Sequence, residues 1–83
     1  MFYEAIFEPS ENGDYDADAM DLAGKMIAVE DGRVIDEGDH KGQQCFYIPN
    51  STVGWIPSSD LKNIKTVPFV RWKEIHSSIG FGD

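Results

Sequence analysis

Cysteine, basic side chains and long apolar runs are scarce in this sequence, and each scarcity removes a class of function. Cys45 is the only cysteine, so one chain can form neither an intramolecular disulfide nor a thiolate metal cluster. That usage suits a reducing compartment, and a cytoplasmic location is expected. No window approaches eighteen consecutive apolar residues, and the opening MFYEAIFEP lacks a basic segment followed by an apolar stretch, so neither a membrane span nor a leader is expected. Seven Lys and Arg stand against fifteen Asp and Glu, a formal net charge of −8. Binding to nucleic-acid backbones needs clustered Lys and Arg, and direct contact with DNA or RNA is therefore not expected.

What is present is enough for one folded domain. The 83 residues are 41% apolar and include five Phe, three Tyr and two Trp, a composition unlike that of disordered chains. A domain of this size buries only about 60 to 65% of its unfolded surface, so stability should be modest. Charge is unevenly spread: residues 1 to 42 hold twelve acids against Lys25, Arg33 and Lys41, a balance of −9, whereas residues 43 to 83 balance at +1. The acids keep a small domain soluble, and they could also face a basic protein partner.

YEAIFE alternates apolar with polar residues and reads as a first strand, ended by Pro9 and the Ser-Glu-Asn-Gly cluster. A long acidic loop follows. GKMIAVEDGRVIDEGD holds two β-rich runs around Asp31-Gly32, a dipeptide suited to a tight hairpin turn. CFYI and VGWI, separated by Pro49-Asn50-Ser51-Thr52, predict a second hairpin. SSDL suits a single 3₁₀ turn before a short strand LKNIK, giving about five strands by residue 65. Beyond Thr66, the residues Phe69, Trp72, Ile75, His76 and Ile79 recur near the helical period after Pro68, predicting a short amphipathic helix. No repeat or linker divides the chain.

Short strands joined by an acidic loop, two hairpins and a one-turn helix resemble the SH3-like small barrel. GWIPSSDLKNI, residues 54 to 64, is similar to that family's final hairpin strand, with Gly54, Pro57, Ser58 and Leu61 in place. Ala5, Ile6 and Phe7 resemble its opening strand, and LAGKMIAV resembles the turn and strand after its acidic loop. The resemblance implies an all-β fold, a five-stranded barrel over residues 1–65; residues 66–83, read as helical from their periodicity, are expected to form an extension in the same domain. It also implies a peptide-docking groove lined by tyrosines, a tryptophan and a proline, with loop acids pairing to Arg or Lys. Asp60 stands where the family has its final tyrosine, and the opening tyrosine positions fall on Phe7 and Pro9.

Catalytic and metal chemistry find little support. An EF-hand loop begun at Asp14 would have Asp14, Asp16 and Asp18 at positions one, three and five, but Ala19 at six and Lys25 at twelve, where the motif needs Gly and a bidentate Glu. No metal site is expected. His40 and His76 have no evident nucleophile or ligand spacing, Cys45 sits in an apolar strand, and Asp36, Glu37 and Asp39 occupy a Gly-flanked turn. Gly80 and Gly82 follow no strand and make no phosphate loop. No cofactor is expected.

The expectation is a non-catalytic protein-interaction module, of the kind a bacterial or phage accessory protein would be, docking a basic partner. The contact residues expected from the loop acids and the family match are Asp14, Asp16, Asp18, Trp55, Pro57 and Asp60. A second candidate face is Phe69, Trp72 and Ile75, on a helix that would either plug an open barrel end or face another subunit, which would make a homodimer. The alternative is an acidic inhibitor that mimics nucleic acid, with carboxylates in place of phosphates on a DNA- or RNA-processing enzyme.

Overall fold

The computed structural model describes residues 1–11 and 15–79; Asp14, with Asn12, Gly13 and residues 80–83, lies outside them. Five strands form one antiparallel sheet: β1 (Phe2–Phe7), β2 (Met26–Val34), β3 (Gln44–Tyr47), β4 (Ile56–Pro57) and β5 (Leu61–Thr66). Their order is β4-β3-β2-β1-β5, and the sheet curls into a half-barrel that stays open. A one-turn helix α1 (Ala17–Met20) lies in the β1–β2 connection, a 3₁₀ turn Ser58–Asp60 joins β4 to β5, and α2 (Phe69–Ser78) ends the described chain. Among the described residues no helix is long and apolar enough to cross a membrane.

Alternation along β1 explains why the molecule needs a helix as well as a curl. Ala5 and Phe7, with Tyr3 packed at the margin, face the main core, where they meet Ile27, Val29, Phe46, Ile56 and Leu61. Phe2 points the other way, as do Ala28 of β2 and the second cluster they form with Trp72 and Ile75. Both faces of the central pair are therefore apolar, and α2 covers the second. Trp72 Nε1 donates to the Val29 carbonyl at 3.0 Å, and Phe2 lies 5.0 Å from Phe69 and 5.1 Å from Trp72 between ring centroids. Glu4 is buried in the same seam, with Lys65 Nζ at 3.5 Å and Arg71 Nε at 3.7 Å from its carboxylate. The helix thus covers the second face of the sheet with Trp72 and Ile75, leaves Phe69 half-exposed, and is followed by Ile79, which packs against the main core.

The Asp31-Gly32 turn is corrected by the structure. Residues Met26–Val34 are one strand, and Asp31-Gly32 lies inside it beside a register shift in the pairing with β3. The chain reverses later, over residues 35 to 43, where Gly38 and Gly42 take φ of +85° and +91°; across the neck the Ile35 N–H donates to the Gln43 carbonyl at 2.9 Å and the Gly42 N–H donates to the Ile35 carbonyl at 2.8 Å. Gly32 serves a steric purpose instead: a Cβ there would collide with the six-membered ring of Trp55. The 3₁₀ turn and the helix after Pro68 form where the residues indicated; β3 and β4 do pair, but β4 is only Ile56–Pro57, so Val53, Gly54 and Trp55 belong to a connection over residues 48–55 rather than to a strand.

Helix and sheet share buried side chains, so they should melt as one unit. Ile27→Val, in the main core, and Ile75→Val, under the helix, should each cost about 0.5–1.5 kcal/mol. Both should lower the midpoint of a single urea transition with coincident far-UV dichroism and tryptophan fluorescence. A helical signal lost ahead of the sheet would contradict this.

Candidate functional site

The acidic loop is held in shape by its apolar residues. Asp16 caps α1, its Oδ1 accepting the Ala19 N–H at 2.9 Å, while Ala19 and Leu22 are buried in the main core. The return is closed by Gly24, whose N–H donates to the Phe7 carbonyl at 2.7 Å from a φ of +79° that favours glycine. Asp16 and Asp18 are left on the outside.

Tyr15 ties this loop to the far end of the half-barrel. Its ring meets Phe7 edge-on at 5.0 Å, and its hydroxyl donates to Asp60 Oδ2 at 2.6 Å. Asp60, in the 3₁₀ turn, is only 3% exposed. Burial, the hydrogen bond to Asp60 and the charge on that carboxylate together push the Tyr15 phenol well above its ordinary value. Sequence reasoning named the aspartates and passed over Tyr15, the aromatic in their midst. That lone ring in a polar stretch was the available signal.

Trp55 is 53% exposed although large aromatics are mostly covered in folded domains. Tyr47 meets it edge-on at 5.4 Å, and the indole lies across the backbone at Gly32. On one side, Trp55, Val53 and Gly54 face Tyr15, Asp16 and Ala19 across a cleft of about 230 Å³. On the other, Trp55 and Tyr47 border a second cleft of about 300 Å³ against Pro49, Asn50 and Ser51. That second wall is braced: Ser51 Oγ donates to the Ile48 carbonyl at 2.7 Å, Asn50 adopts φ +60°, and His76 of α2 bonds the Pro49 carbonyl through Nε2 at 2.7 Å.

The structure therefore brings Asp16 and Trp55 to one cleft and places Asp60 behind it, reached through Tyr15. Asp18 is exposed on α1 outside the cleft lining, and Pro57 is buried in β4 opposite Cys45. Of the second candidate face, Trp72 and Ile75 are each 6% exposed, under the helix, and Phe69 alone is open, at 51%. Among the described residues no three His, Cys, Asp or Glu side chains are grouped to hold a metal ion. No protein-family model, curated protein or solved structure matches the chain.

Tyr15→Phe leaves a buried acceptor without its donor and should cost about 1–3 kcal/mol. The pH dependence has a definite sign. A phenol whose folded value lies above its unfolded value of about 10 contributes stability that is complete below pH 10 and is lost as pH rises beyond it. Unfolding measured from pH 8 to 11 should show this decline in the native protein and a shallower one in Tyr15→Phe. Ultraviolet titration should show one tyrosine ionising after the others.

Proposed function

We propose that the chain is an SH3-like small barrel acting as a non-catalytic protein-interaction module, docking a basic partner on its acidic β1–β2 loop. The barrel reading is supported by the strand order β4-β3-β2-β1-β5, the 3₁₀ turn between the last two strands and the long loop between the first two. The docking reading rests on one observation: a half-exposed tryptophan shares a cleft with Asp16 of that loop. Exposed aromatics are favoured anchors at protein interfaces. Exposed carboxylates beside one steer a positively charged partner and set its register.

The described part of the loop is anchored through Tyr15, Ala19 and Leu22, which favours this use, because a preformed surface loses less freedom on association than one that must fold. Replacing Asp14, Asp16 and Asp18 together by Asn should preserve the fold, since Asn caps a helix nearly as well as Asp. With a partner isolated from the source organism, the triple variant should bind about 1–3 kcal/mol more weakly, mainly through slower and less salt-dependent association measured by surface plasmon resonance. Unchanged affinity would sink the loop as docking site. Competition by duplex DNA for the same site on the partner would favour nucleic-acid mimicry instead.

A further inference from the structure

Cross-strand register sets an acid between aromatic rings on the helix side of the sheet, next to Trp55. Glu30 of β2 is paired on one side with Phe2 and on the other with Tyr47. Directly opposed residues of antiparallel strands project from the same face, and Phe2 fixes that face as the one under α2. At Gly32, two residues on, the space a side chain would take is filled by the Trp55 ring. Tyr47 touches that ring in turn. Carboxylate, phenol and indole therefore follow one another across the sheet, Glu30 to Tyr47 by register and Tyr47 to Trp55 by ring contact.

Glu30 is half-buried, yet among the described residues no cation or side-chain donor reaches its carboxylate. The amino terminus, carried by the residue before Phe2, is paired with Asp31 at 3.3 Å instead. The two buried acids among the described residues are matched: Glu4 by Lys65 and Arg71, Asp60 by Tyr15. An unmatched carboxylate beside the Tyr47 ring, which itself meets the Trp55 indole, on a chain of net charge −8, is complementary to a cation with a flat face.

We infer that the Glu30–Tyr47–Trp55 patch receives an arginine side chain of the basic partner. A guanidinium can stack on an indole or phenol while its N–H fork pairs with a carboxylate, whereas a lysine ammonium supplies charge without the planar match. Gly32 positions the indole for this by letting it lie flat on β2. The assignment rests on the docking reading: Trp55 also walls the loop cleft, so loop and patch can engage one partner at once.

Hexa-arginine and hexa-lysine peptides titrated at low salt into the isotope-labelled protein, followed by nuclear magnetic resonance, separate the two sites. Hexa-arginine should move the Trp55 indole and the Tyr47 and Glu30 amides, and hexa-lysine should bind more weakly. Glu30→Gln, with an unchanged urea midpoint, should weaken hexa-arginine binding about fivefold to tenfold. Asp16→Asn with Asp18→Asn should leave the patch response in place. A response confined to the loop amides, or one that Glu30→Gln does not alter, overturns the patch and leaves loop docking standing. Absence of any response, in loop or patch, overturns both.

Discussion

The pairing of β1 with β2 must bury two faces at once, and the remaining architecture follows from that requirement. A two-stranded ribbon with Phe7, Ile27 and Val29 on one side and Phe2 and Ala28 on the other cannot be satisfied by curling alone. Curling brings β3, β4 and β5 round the first face. The second needs a separate cover, and α2 supplies it with Trp72 and Ile75, fixed by the indole bond to Val29 and the Glu4 ion pairs. The helix is an integral layer of the domain.

The surface available for recognition lies beside that cover. Phe2 lies beneath the helix; Glu30 and Tyr47, in the same cross-strand row, are half-buried. Trp55 continues the patch to the sheet margin and turns toward the acidic loop. The helix also reaches this region through His76, which holds the Pro49 carbonyl and so shapes the wall of the second cleft. Elements that close the core thus set the geometry of the exposed aromatic.

The acidic loop shows how an apparently polar segment can be structurally committed. Its aspartates dominate the composition, but Ala19 and Leu22 anchor it in the core, and Tyr15 fastens it to Asp60 across a sequence separation of 45 residues. One charge caps a turn of helix. Asp18 and Asp21 stay exposed.

Much of the local structure was legible in the residues. Period-two alternation marked β1, turn chemistry after Ile48 marked the β3–β4 hairpin, SSDL marked the 3₁₀ turn, and the spacing Phe69, Trp72, Ile75 marked α2. These are properties of a few neighbouring residues, so the chain alone determines them. The role of Gly32 was illegible, because Asp-Gly is equally suited to a tight turn and to a strand that must admit a foreign side chain, and only Trp55, 23 positions away, distinguishes the two. Likewise the aspartate run and Trp55 could be named separately, but not placed in one cleft, and Glu30 carried no signal at all. Its significance comes from register with Phe2 and Tyr47. Periodicity and local turn chemistry determined the kind of element at β1, the 3₁₀ turn and α2; the burial of Glu4 and Asp60, cross-strand register and the steric fit of one indole on one glycine, which involve contacts between distant parts of the chain, were decided only by the tertiary structure.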